Sequence, residues 1–325
     1  MKILKKLLAA LLVGMATQVS AAPAFPNKTV SIVVPYGPGS GADTLARVLA
    51  EQLAPVLKVP VIVENHEGAG GTIGTQYVAK SKPDGYTLLF HTNAFLVAPE
   101  LFPTPPYRLN QFRPVSKFGV LELAIVSSAT LPYKTFDEMI AYAKAHPEKA
   151  HYATSGKGAA SHLESARVMS RQKGVMIEDV PYKNVGQALT DTLAGRVLFY
   201  VPVLAATMPH INDGKLNVLA AGGRKRSAML PNAPSIAEVM GSDSPEYTDW
   251  LTAWYGMMAP AGTPDDVVQV LYDAIAQAVQ TPQVKDRLAA IGGRVALMNP
   301  KDFQAEMTVQ AKEWATLVKD FDIRN

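Results

Sequence analysis

The stretch Thr29-Val30-Ser31-Ile32-Val33-Val34-Pro35-Tyr36-Gly37-Pro38-Gly39-Ser40-Gly41-Ala42-Asp43 decides the architecture. Its first six residues form a β-branched run of the kind that builds a buried strand. Residues 35–41 break the run. Asp43 then opens a helix in which Leu45, Val48, Leu49, Leu53 and Leu57 fall on one face. The following segments repeat this order, with a strand over 59–63, a glycine-rich turn over 68–71 and a helix over 73–80. A Pro83-Asp84-Gly85 turn then leads into a strand over 86–90. Short connections in a β-α-β-α-β series predict parallel strands covered by helices on both faces.

A Pro-rich, irregular stretch over 101–114 separates this unit from a second one. There, strands over 120–126, 152–154, 177–180, 196–201 and 216–221 alternate with helices over 136–146, 162–174, 185–194 and 204–213. Thr135 and Glu138 make a capping box for the first of these helices. The C-terminal part reads as helical. Thr263 is expected to cap a helix that has Pro264 at its first position. A second helix over 284–291 stops at Gly292-Gly293, and a third starts at Asn299-Pro300 with Phe303, Met307, Trp314 and Leu317 close to one face.

At the other end, Lys2, Lys5 and Lys6 precede an apolar run over 7–13 and the small residues Ser20, Ala21, Ala22 and Ala24. This is the pattern of a secretory signal peptide, with cleavage expected after Ala21 and Ala24 as the alternative. The three lysines account for the whole formal charge of +3. The mature chain is therefore near neutral and lacks the basic footprint of a nucleic-acid binder. With 325 residues, 48% of them hydrophobic, the chain can bury a substantial core. The absence of cysteine excludes disulfides, thiolate catalysis, Cys-ligated metals and a lipoprotein anchor. No second long apolar run exists, so a soluble extracytoplasmic product is expected.

Two strand-to-helix turns carry the chemistry. One is Gly37-Pro38-Gly39-Ser40-Gly41-Ala42-Asp43, and the other is Ser155-Gly156-Lys157-Gly158-Ala159-Ala160-Ser161-His162. Glycine lets a ligand approach the main chain, and the unpaired amides and dipole of a helix N-terminus favour an anion. Two such termini, one per unit, suit a carboxylate held across a cleft; plain helix capping is the alternative for each. Gly37-x-Gly39-x-x-Ala42, with Glu64 ending the next strand, also matches the dinucleotide fingerprint. Pro35 and Tyr36 displace that tight turn, and export takes the chain away from soluble dinucleotides.

Taken together, these motifs resemble the Bug-type (TctC family) extracytoplasmic solute receptors of tripartite tricarboxylate transporters. The resemblance runs from Phe25 nearly to the C-terminus. It rests on residues 34–43 with Ala46-Arg47, on Val63-Glu64-Asn65 and on Gly68-Ala69-Gly70-Gly71-Thr72-Ile73-Gly74. Further motifs are Pro83-Asp84-Gly85-Tyr86-Thr87-Leu88-Leu89, Ser161-His162-Leu163, Val180-Pro181-Tyr182-Lys183, Pro209-His210-Ile211 and Gly214-Lys215-Leu216. Trp254-Tyr255-Gly256 and Ala259-Pro260-Ala261-Gly262-Thr263-Pro264 complete the set. The resemblance implies a periplasmic binding protein fold of type 2, with two α/β lobes, a hinge and a ligand cleft between them. Residues 1–21 would be the signal peptide, 22–120 with 222–325 the first lobe, and 121–221 the second. It also implies a small organic acid as ligand, with one carboxylate gripped by both turns and bridging waters, and delivery to membrane permease subunits.

The chain departs from the family where Ala42, Ala159 and Ala160 stand at positions that often carry hydroxyls. It departs again at Tyr200-Val201-Pro202-Val203, near which the family often places an acid that can meet a ligand amine. Burying an ammonium without a partner costs several kcal/mol, of order 3 or more, so a ligand without an amino group is expected.

The expected ligand-binding residues are Tyr36, Gly39, Ser40, Gly41, Ala42, Asp43, Asn93, Ser155, Gly158, Ala159, Ala160, Ser161, His162, Lys183 and Tyr200. Several have ordinary alternatives: Asp43 as a helix N-cap, Asn93 as a turn residue, His162 as a cap or packing residue, Lys183 as a solvated cation, and Tyr36 and Tyr200 as packing. His66, His91, His146, His151, His162 and His210 show no metal-ligand spacing, and no serine has a recognisable His/Asp set. A monomer with no metal, no cofactor, no nucleic-acid partner and no enzymatic activity is expected. A ligand sensor for a membrane signalling protein and, further off, a dinucleotide oxidoreductase are the other readings.

Overall fold

The opening run forms strand β1 (Val30–Val34), which lies in parallel between β2 (Val61–Asn65) and β3 (Thr87–Thr92). Helix α1 (Gly41–Leu57) links the first two and buries Leu45, Leu49, Leu53 and Leu57, while α2 (Thr72–Ala79) leads to the third. The computed structural model describes residues 25–102, 104–156, 159–182, 185–242 and 250–320. The expected signal peptide lies outside them.

After α3 (Ala94–Leu101), strand β4 (Phe112–Glu122) starts inside the stretch expected to be irregular. The single strand expected over 120–126 is two strands. β4 belongs to the first sheet, and β5 (Ala124–Ser128) belongs to a second sheet. The second unit then runs α4 (Phe136–Ala145), β6 (His151–Thr154), α5 (Ala160–Met169), β7 (Glu178–Pro181), α6 (Val185–Leu193), β8 (Phe199–Tyr200), α7 (Leu204–Asn212) and β9 (Leu216–Ala221). Its sheet order is β7-β6-β8-β5-β9. The chain passes α8 (Ile236–Val239) and returns as β10 (Thr252–Pro260). It ends with α9 (Asp265–Ala278), α10 (Pro282–Ala290), β11 (Gly293–Met298) and α11 (Pro300–Asp320).

This return corrects two expectations. The C-terminal part is not wholly helical, because β10 and β11 both enter the first sheet, whose order is β11-β4-β10-β3-β1-β2. The sheet is also mixed, since β10 runs antiparallel to β3 and β4, and β11 runs antiparallel to β4. A chain that re-enters from a second unit need not make a right-handed parallel crossover. The cap of α9 also differs. Pro264 is the N-cap, and the Thr263 hydroxyl donates instead to the Pro260 carbonyl at 2.7 Å.

The two sheets are joined where β4 gives way to β5 through Leu123 alone. The Leu123 amide donates to the Leu251 carbonyl at 2.8 Å, and the Gly223 amide donates to the Trp250 carbonyl at 2.8 Å. A Cβ on Gly222 would come within 2.6 Å of the Leu251 carbonyl oxygen, so only glycine permits this approach. Helix α5 ties the units together a second way. It is sequential with the second sheet, yet its Leu163 and Ala166 share one hydrophobic cluster with Phe95, Trp254 and Trp314.

Candidate functional site

The first turn leaves β1 at its carboxyl end and is held by its own side chains. Ser40 is the N-cap of α1, with φ −62° and ψ 159°, and its hydroxyl accepts from the Asp43 amide at 3.2 Å. Asp43 is therefore the third helical residue and not the cap. Ser ranks among the best caps because its short side chain reaches the second or third amide. The Asp43 carboxylate is only 3% exposed. It accepts from the Gly39 amide at 2.9 Å, the Asn65 side chain at 2.8 Å and Arg47, whose Nη2 stands 2.9 Å from Oδ1. Gly39 takes φ 81°, a conformation that favours glycine. Asn65 reaches the turn because it pairs with Val34 at the end of β1, and its amide also donates to the Tyr36 carbonyl at 2.9 Å.

Once Ser40 has capped Asp43, the amides of Gly41 and Ala42 have no protein acceptor among the described residues. These are two of the orphan donors that every helix start carries.

Burial would push the Asp43 carboxyl up, but Arg47, the Gly39 amide and Asn65 outweigh it and hold the group below its ordinary value. A depressed carboxyl contributes stability above its unfolded value, roughly 3.9, and loses it as pH falls through the lower folded value. Asp43→Asn is thus expected to cost about 1–3 kcal/mol near neutrality. The gap to wild type should narrow as pH drops below about 4. Urea unfolding of both proteins at pH 6 and pH 3 checks this, and a gap that does not change with pH would refute it.

At the end of β3, the Tyr36 hydroxyl meets Thr92 Oγ1 at 3.1 Å and His91 Nδ1 at 3.3 Å. His91 Nδ1 also lies 2.8 Å from the Thr92 amide nitrogen and 3.1 Å from the Thr92 carbonyl oxygen. Burial lowers His91 to about 4 and raises Tyr36 to about 12. The imidazole is therefore neutral and the phenol is a donor at any physiological pH. Asn93, the next residue, caps α3 without a side-chain bond. It lines a small gap shared with Glu164 and Arg167 of α5 and with Trp254 and Trp314.

The second turn repeats the plan with other residues. Helix α5 begins at Ala160, two residues earlier than expected, and Ala159 is an N-cap that has no side-chain acceptor. The Ser161 hydroxyl turns back to accept from the Ser155 amide at 2.9 Å and to meet Ser155 Oγ at 2.9 Å. The amides of Ala160 and Ser161 donate to nothing in the protein among the described residues. Tyr200 is buried, with the Ser155 side chain near its hydroxyl. Burial raises its pKa and Ser155 lowers it less, so it too stays protonated. His162 is buried with Nε2 4.0 Å from an Asp179 oxygen. Gly158 and Lys183 lie outside the described residues.

The structure thus groups Tyr36, Gly39, Ser40, Gly41, Ala42 and Asp43 at one helix start, and Ser155, Ala159, Ala160, Ser161 and Tyr200 at another. Sequence reasoning left out Arg47, Asn65 and His91 at the first. The strand register of Asn65 was the signal that could have found it. Among the described residues, no group of acids and histidines is arranged to hold a metal, and no helix is long and apolar enough to cross a membrane.

The sequence profile described as Tripartite tricarboxylate transporter family receptor matches residues 45–323. Protein BugT of Bordetella pertussis is 34% identical over 310 residues, covering 94% of this chain and 93% of BugT. The structure of periplasmic binding protein BugD superposes with a TM-score of 0.71 at 33% identity, over 92% of this chain and 99% of BugD. MatC from Rhodopseudomonas palustris, solved with bound malate, superposes with a TM-score of 0.71 at 28% identity, over 90% of this chain and 100% of MatC. The two-lobed α/β fold of periplasmic binding proteins, expected from the resemblance, is the one observed.

Proposed function

The chain belongs to the tripartite tricarboxylate transporter receptor family, and on that premise we propose that it captures a small organic carboxylate without an amino group. It is a receptor and not an enzyme, so the dinucleotide oxidoreductase reading is set aside. Residues 1–21 direct it to the periplasm, where the closed, loaded form meets the membrane permease.

One observation carries this reading: two helix starts, one in each α/β unit, each present a pair of main-chain amides that have no acceptor among the described residues. Each charge-assisted bond from such an amide to a carboxylate contributes roughly 1.5–3 kcal/mol where water is excluded. A ligand that engages both starts only when the lobes approach binds the closed state better. That difference in affinity is what drives closure. The carboxylate bound to MatC is a relative's ligand of the same class. Tyr200-Val201-Pro202-Val203 offers no acid to an ammonium, which disfavours amino acids.

Isothermal titration of the mature protein against malate, succinate, adipate, benzoate, aspartate and glutamate tests the proposal. Binding of one or more simple acids, with aspartate and glutamate ignored, is expected. Tight aspartate or glutamate binding with the simple acids ignored would overturn it.

A further inference from the structure

The strand on which the chain returns to the first sheet brings an unassigned hydroxyl to the first turn. Tyr255 lies on β10 opposite Thr92 of β3 on one side and Gly119 of β4 on the other. Its ring packs against Phe90 at 5.5 Å between centroids, and the residue is 5% exposed. The hydroxyl stands 3.7 Å from the position a Cβ on Gly41 would take. With no side chain at Gly41, nothing separates the phenol from the first helical residue of α1.

The Tyr107 and Tyr133 hydroxyls donate to the carbonyls of Phe95 at 2.7 Å and Leu198 at 2.5 Å, and the Tyr36 hydroxyl meets Thr92 Oγ1 at 3.1 Å. The Tyr255 hydroxyl has no hydrogen-bond partner among the described residues, yet it is not sealed from the space outside the protein. A hydroxyl on a side chain this deeply buried normally has a partner. The hydroxyl is left open to a group arriving from outside the protein. Two features fit an anionic oxygen in that role. The amides of Gly41 and Ala42, in the same place, have no acceptor among the described residues. Arg287 on α10, a helix packed against α1, keeps a buried Nε without a hydrogen-bond partner, and its charge bears on the Tyr255 phenol. Burial raises that phenol to about 12, so it remains a donor.

We propose that Tyr255 is a ligand-binding residue whose hydroxyl donates to the carboxylate held at the N-terminus of α1. The inference rests on the carboxylate reading above and adds a third donor to the first turn, from a strand outside both glycine-rich loops.

Tyr255→Phe removes the hydroxyl and keeps the ring against Phe90. The test is isothermal titration of wild type and variant with malate, succinate and adipate, together with thermal unfolding of both without ligand. The expected result is Kd weaker by about 10-fold for whichever acid binds wild type, with an unliganded Tm equal to or above that of wild type. A residue with a merely structural role would instead lower the unliganded Tm and leave Kd unchanged, and that outcome overturns the inference. Equal Kd in the two proteins overturns it while the carboxylate reading stands. If wild type binds none of the acids, the carboxylate reading fails, and the inference falls with it.

Discussion

Arg167→Met is expected to destabilise the protein by about 3–5 kcal/mol, the cost of breaking a buried ion pair by removing one partner. Arg167 sits on α5 and is 2% exposed. Its Nε and Nη2 donate to the two carboxylate oxygens of Glu313 on α11, at 2.9 Å and 2.5 Å. Glu164, one helical turn before it, lies 3.6 Å from Nη1 and accepts from the Leu251 amide at 2.8 Å. The guanidinium also stands over the rings of Trp250, at 4.8 Å, and Trp314, at 5.3 Å. Methionine keeps the length and apolar contact but leaves two carboxylates without their shared cation. In a chain of this size the loss corresponds to a fall in Tm of about 5–8 °C. Combining the change with Glu164→Gln and Glu313→Gln should recover most of the loss, because the penalty comes from uncompensated buried charge. Urea unfolding of the three proteins decides it. A single variant within about 1 kcal/mol of wild type would show that the pair is not what ties α5 to the first unit.

Gly41→Pro should weaken ligand binding about 10- to 100-fold and leave the fold intact. Proline is favoured at the first helical position, where its missing N–H is an orphan in any case. The extended conformation of Ser40 is what a residue before proline adopts. The Gly41 amide donates to nothing in the protein among the described residues, so its removal costs no internal bond. A Cβ there makes only ordinary contact with the Tyr255 hydroxyl. Losing conformational freedom in the unfolded chain should even raise stability by roughly 0.4–1 kcal/mol. Gly41→Ala is the control, because it adds a Cβ and keeps the N–H. Stronger binding by the alanine variant than by the proline variant isolates the amide. Unimpaired binding by the proline variant would mean that the first turn is not the anion grip.

Much of the first unit was legible locally. Leu45, Leu49, Leu53 and Leu57 recur at helical spacing, and the Pro83-Asp84-Gly85 turn marks the entry to β3. Both helix starts of the candidate site could be read from glycine and serine in short turns. The strand β10 escaped notice because Thr252-Ala253-Trp254-Tyr255-Gly256-Met257-Met258-Ala259-Pro260 is buried on both faces and shows no alternation. Helix α3 was missed because Pro99 lies inside its eight residues. The break at Leu123 was also invisible, since β4 and β5 are buried over nearly their whole length and are told apart by which sheet they join.

The sequence by itself determined the α/β class, the two amide-bearing helix starts and the family, because turn chemistry, side-chain periodicity and ordered motifs are properties of neighbouring residues. Only the tertiary structure decided that Arg167 is shared between α5 and α11, that Asn65 and Arg47 saturate Asp43, and that Tyr255 ends beside Gly41. Those contacts depend on sheet register and on how helices pack across long sequence separations. No local pattern of residues carries that information.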